Sequence, residues 1–239
     1  MQYLYGPVKS RRLGYSLGIS LTPYKTCSFD CIYCQLGKTN NLTLERKEYI
    51  NVSAIIDEFR AWLGQDKMLL QGLEYITISG SGEPTLNTGL GALITGLKKL
   101  VPSKIALLTN SSLFSDARIR RQAQEADLIV PSLDAATQGL FVKIDRPAPA
   151  LKIEEIISGL VLLRREFRGK IWLEVMLVKG VNDDIRHIRK LKEVIERINP
   201  DRIQLNSPVR TTAEIDVLAV DKGKLKKIKE ILGEKAEIV

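Results

Sequence analysis

CSFDCIYC, residues 27–34, carries every cysteine of the 239-residue chain: Cys27, Cys31 and Cys34. Thiolates are soft ligands, and three on one short loop select zinc, copper(I) or an iron–sulfur cluster. An odd, crowded set suits neither a disulfide framework nor scattered core thiols. A structural zinc takes four protein ligands. The only histidine, His187, lies far along the chain beside Ile188 on a predicted helix, where a surface position is expected. A cubane cluster has four irons, so three cysteines leave one iron open to another ligand.

The elements that must hold such a loop show in the periodicity. Short β-rich runs alternate with longer helical patterns, which predicts an α/β fold with a parallel sheet. Strands are predicted at 17–21, 73–79, 104–109, 128–132, 171–178 and 202–205, each bounded by Gly, Pro, Asn or Asp. Apolar residues between them recur at helical spacing, as in Ile153, Ile156, Ile157 and Leu160. Gly91 and Gly96 weaken one such pattern, and Asp183 and Asp221 suit N-caps. A closed eight-unit barrel takes about 250 residues. Six strand–helix units therefore predict a partial (β/α)6 TIM-like barrel of parallel strands with a short N-terminal extension. We expect one domain over 1–239, with a core at about 15–210 and a helical C-terminal segment at 211–239.

Hydrophobic residues make up 44% of the chain, the share of a protein with its own core. No apolar run is long enough to span a bilayer and the first residues lack a secretory pattern, so the expected location is the reducing cytoplasm, with no membrane partner. The net charge of +8 suits an anionic partner such as RNA or DNA. Part of it, as at Lys222, Lys226 and Lys229, reads as the solvated face of a helix.

Functional residues of parallel barrels gather where strands end. Those ends read TPYKTCSFDCIYCQLGKT, SGSGEPTL, TNSSL, PSLDA, KGVND and LNSPVR, and the first holds all three thiols. Cys27, Cys31 and Cys34, with aromatic Tyr33 before the third, resemble the signature of the radical S-adenosylmethionine (radical SAM) superfamily. That resemblance implies a [4Fe–4S] cluster on the cysteines and S-adenosylmethionine on the open iron. Reductive cleavage of the sulfonium then gives a 5'-deoxyadenosyl radical that takes hydrogen from a substrate. Tyr33 is expected near the adenine.

SGSGEPTL resembles the superfamily's GGEP motif, whose backbone meets the amino group of the cosubstrate. Gly82, Glu83 and Pro84 keep the pattern while Ser81 replaces its first glycine, and Glu83 is expected to help receive the ammonium. Asn110 and Ser111, Ser132 and Asp134, and Asn182 resemble ribose- and carboxylate-binding positions; each also suits a turn or cap, Asn182 above all. Gln204, Asn206 and Arg210 fall near the same mouth, where they suit contact with adenine or substrate and equally the plain polarity of a loop.

The opening GPVKSRRLGYSLGISLTPYKTCSFDCIYCQLGKT resembles small radical SAM iron–sulfur oxidoreductases related to wyosine-type tRNA modifiers. The resemblance implies a tRNA or other nucleic-acid substrate, met by basic residues such as Arg11 and Arg12 with Arg210, and a flavodoxin- or ferredoxin-like electron donor. Wyosine enzymes carry further cysteines for a second cluster, and this chain has none. Hydrogen abstraction or rearrangement is then the expected chemistry. An activase that installs a glycyl radical on a partner, or a radical enzyme acting on a small molecule, is the alternative enzymatic reading. An electron-transfer or redox-sensing iron–sulfur protein is the non-catalytic one.

Overall fold

The computed structural model of the chain describes residues 1–65 and 72–239. Its strands are β1 (Leu4–Ser10), β2 (Gly14–Ile19), β3 (Thr26–Cys27), β4 (Asn41–Leu42), β5 (Tyr75–Ile78), β6 (Lys104–Thr109), β7 (Leu128–Pro131), β8 (Lys170–Met176), β9 (Arg202–Asn206) and β10 (Ala236–Ile238). Its helices are α1 (Val52–Gln65), α2 (Leu90–Leu100), α3 (Ala117–Ala123), α4 (Gln138–Asp145), α5 (Ile153–Glu166), α6 (Ile185–Ile198) and α7 (Lys222–Leu232). The main sheet runs β1-β2-β5-β6-β7-β8-β9-β10. All its neighbouring pairs are parallel except the β1–β2 hairpin. The six predicted strands are present in an open, partial barrel.

Alternation along each strand sorts the two faces. Ile76 and Ile78, Ile105 and Leu107, Leu173 and Val175, and Ile203 and Leu205 pack with the helices in one continuous core. Leu13, Ala106, Leu128 and Val130 form a separate small cluster on the other face. Helix α5 approaches so closely that a side chain on Gly159 would lie 2.6 Å from the backbone of Phe114 and Ser115.

Several expectations need correction. The N-terminal extension is a strand: LYGPVKS pairs antiparallel with β2, and its Pro7 and half-exposed side chains are those of an edge. A further parallel strand, β10, follows α7. The helical pattern at 90–100 is present as expected despite its glycines, because Leu90, Leu93, Ile94 and Leu97 are fully buried. Asp184 rather than Asp183 caps α6, accepting from Arg186 N, whereas Asp221 caps α7 as expected. His187 is buried, 6% exposed, rather than on the surface.

The β1–β2 turn reaches across the inner face. Arg12 pairs with Glu174 of β8. Arg11 donates to Asn206 Oδ1 at 3.4 Å and to the carbonyl of Val239, just past β10, at 3.3 Å. One turn thus ties the first two strands to the last three across the side where the sheet stays open.

Asn182, fully buried, fastens the ends of β7 and β8: it donates to Asp134 O and Met176 O and accepts from Val178 N, all at 2.8 Å. Truncating it strands three buried backbone groups. Asn182→Ala is expected to cost about 2–4 kcal/mol, read as a lower urea midpoint at unchanged slope.

Candidate functional site

The cysteine loop leaves the sheet after β2 and is held from several sides. β3 pairs with β4, and Asp30 N and Ile32 N donate to the carbonyls of Asp145 and Ile144 at the end of α4, at 3.1 and 3.0 Å. Phe29 packs edge-on against Phe141, their ring centres 5.2 Å apart. From the loop after β9, Glu214 N donates to Ile32 O. Cys34 N returns to Cys31 O, so the last two cysteines share one turn. All three thiols are free and half-buried.

The turn after β5 lies against this loop. Lys25 N donates to Ser81 O at 2.6 Å and Glu83 N to Thr26 O at 3.1 Å. A Cβ at Gly82 would stand 1.9 Å from Thr26 O, so only glycine permits the approach. Glu83, 2% exposed, is filled by protein donors. One oxygen accepts from Thr85 N, Thr85 Oγ1 and Thr109 Oγ1, and the other from Asn110 N. Burial raises its carboxyl above the usual range, opposed by those donors.

Each sulfur has its own side-chain neighbour. Lys25 Nζ donates to Cys34 Sγ at 3.1 Å, Asn110 Nδ2 to Cys27 Sγ at 3.5 Å, and Cys31 Sγ to Asp145 Oδ1 at 3.6 Å. Tyr33 donates to Asp134, whose other oxygen accepts from Met176 N at 2.7 Å. Burial drives the Cys31 thiol, the Tyr33 phenol and the Asp145 carboxyl well above their ordinary values. It pushes Asp134 up to about 7, and burial with nearby Glu83 takes the Cys27 thiol to about 12. Partial or full withdrawal from water disfavours the charged form of each group.

Asn110, Ser132, Asp134 and Asp145 line one small pocket with Phe29 and Phe141, so residues from the ends of β6 and β7 meet beside the cysteine loop. Asn206 instead joins Arg11, Arg12 and Glu174, with Asn206 Nδ2 donating to Glu174 at 3.2 Å. Arg210 is exposed on the loop after β9 and donates to Gln35 Oε1. Sequence reasoning missed Asp145 and Lys25. An acid at the end of the apolar stretch LFVKID was a usable signal for the first. A single lysine in a basic chain offered none for the second.

Gly82→Ala is expected to destabilise the fold by about 3 kcal/mol, as overpacking against backbone does. Gly139→Ala, where a side chain meets nothing within 4 Å, is the neutral control. Equal urea midpoints for the two would remove the close approach as a constraint.

Residues 21–192 match the Radical SAM superfamily. "GTPase Obg" of Brachyspira hyodysenteriae is 38% identical over 227 residues, 95% of this chain but 33% of that protein. UPF0026 protein slr1464 of Synechocystis is 35% identical over 208 residues, covering 87% of this chain and 76% of its own. A probable dual-specificity RNA methyltransferase RlmN of Thermotoga is 30% identical over 227 residues, 89% of this chain and 61% of that one. Among solved structures, a radical SAM methyltransferase from Sphaerobacter thermophilus superposes with TM-score 0.69 at 17% identity, over 94% of this chain and 65% of that one. An archaeal TYW1 does so with TM-score 0.60 at 18% identity, over 92% and 72%. The structures share the fold and the sequence match spans most of the length: the chain belongs to the radical SAM superfamily.

Proposed function

We propose that this chain is a radical SAM enzyme whose Cys27, Cys31 and Cys34 hold a [4Fe–4S] cluster, leaving the open iron to S-adenosylmethionine. The observation that carries the reading is the convergence of three free, half-buried thiols with the glycine-dependent turn at Gly82 and the pocket of Asn110, Ser132 and Asp134. The donor set, three thiols on one loop with a buried lysine and an asparagine amide beside them, fits a four-iron cluster with one iron left open. When bound, cluster and cosubstrate supply reductive cleavage of the sulfonium and hydrogen abstraction.

The chain's own residues position and enclose. Gly82 brings the peptide groups of Ser81–Pro84 against the cysteine loop, where they can meet the cosubstrate's amino group. Glu83 fixes that turn rather than receiving the ammonium itself, because four donors already fill its carboxylate. Asn110, Ser132 and Asp134 offer donors and acceptors for ribose and carboxylate. Asp134 also holds Tyr33, keeping that ring in place for the adenine.

For the substrate we favour an RNA component, supported by the +8 charge and by the similarity to an RNA methyltransferase. Arg11 and Arg12 are engaged within the fold, so exposed Arg210 is the stronger candidate for a phosphate contact. A low-potential flavodoxin- or ferredoxin-like protein is the expected electron donor.

Anaerobic reconstitution is expected to give about four irons per chain and, with reductant, 5'-deoxyadenosine from S-adenosylmethionine. Cys31→Ala is expected to lose both; full cleavage in that variant would overturn the ligand assignment. Affinity for tRNA is expected to fall linearly with salt on logarithmic axes. Salt-independent or absent binding would move the substrate to a partner protein or a small molecule.

A further inference from the structure

We infer that Lys25 is an electrostatic tuning residue, a buried fixed cation against the Cys34 sulfur that raises the reduction potential of the cluster. The inference rests on the cluster reading above.

Lys25 is 3% exposed, and lysine is almost never fully buried unless paired. Among the described residues no carboxylate lies within ion-pair distance of its ammonium, whose hydrogen-bond partner is Cys34 Sγ at 3.1 Å. On the cluster reading the Cys34 sulfur is a thiolate ligand, and the contact then becomes a charge-assisted hydrogen bond to the cluster. Three thiolates on an oxidised cubane core leave one net negative charge, and one-electron reduction makes it two. A fixed cation favours the second state more than the first, so it makes the electron easier to accept.

The backbone supports the same reading. Lys25 has φ +57°, a region where glycine or asparagine is the default. The conformation is fastened on both sides, by Lys25 N to Ser81 O and by Asn41 N to Lys25 O. A side chain that glycine would serve better for conformation alone is retained where it turns under the loop. The hydrogen-bond neighbours are also unequal: Cys27 meets a neutral amide, Cys31 a carboxyl and Cys34 the ammonium.

The test is a redox titration of the reconstituted protein with dithionite, followed by the electron paramagnetic resonance signal of the reduced cluster, with iron counted in parallel. Lys25→Met and Lys25→Gln are expected to bind iron as wild type does. At a fixed poise they are expected to show an about tenfold lower ratio of reduced to oxidised cluster, about 59 mV for a one-electron couple. Lys25→Arg, which keeps the charge, is expected to stay within about threefold of wild type. Wild-type potentials in the Met and Gln variants would overturn the inference. So would loss of iron from both, because the charge would then serve assembly. Failure of the cluster reading is distinguishable, since wild type itself would then take up no iron.

Discussion

Two backbone hydrogen bonds, Lys25 N to Ser81 O and Glu83 N to Thr26 O, lace the cysteine loop to the turn after β5, with nothing larger than hydrogen tolerated at Gly82 between them. The seam sets the depth at which the loop sits. It fixes the backbone of Lys25 and so aims the ammonium at Cys34. Its other strand brings Glu83 under Thr109 and Asn110, whose amide then reaches both Ser28 and Cys27. A shift there would move all of these groups, since interiors this closely packed transmit displacement rather than absorb it.

The polar groups behind the seam are costly alone and stable together. Glu83, Asp134 and Asp145 are each at most 3% exposed, and burial opposes ionisation of all three. Glu83 offsets that with four donors. Asp134 and Asp145 share Tyr33, and the chain around them is clamped by Asn182 and by the bonds from Asp30 and Ile32. Buried polar networks reward completeness, because a half-satisfied one is worse than an apolar core. The rigidity suits a site that must hold a reactive species beside its target and away from water.

How much of this was legible follows from what each residue had to signal. The parallel strands were readable because strands buried on both faces are mostly apolar, as LIVP is throughout and KIWLEVM is apart from Lys170 and Glu174. The β1 strand was not: as an edge it buries little and tolerates proline and lysine. Helix α4 is short, and its buried Phe141 and Ile144 serve the cysteine loop rather than a regular amphipathic face. The thiols and Gly82 stood out because few residue types can replace them. Glu83 was recognised, but the four donors on its carboxylate were not legible, since they come from three separate residues downstream. His187 looked like a surface residue among Arg186, Arg189 and Lys190, and only the packing of α6 turns it inward.

Having every thiol on one loop also limits how the fold can divide its labour. All three cysteines of the sequence lie at positions 27, 31 and 34, so any metal group held through thiolates of these residues gathers at this one loop. The inner face contributes to this by being occupied. Leu13 and its neighbours fill one level of it, and above them Arg12–Glu174 and Arg11–Asn206 tie the hairpin to the far strands. A parallel barrel interior is a packed core rather than a pore, and here the N-terminal hairpin supplies the packing that two missing strand–helix units would otherwise bring. The first strand pair thus braces an unclosed sheet beside the strand ends that form the candidate site.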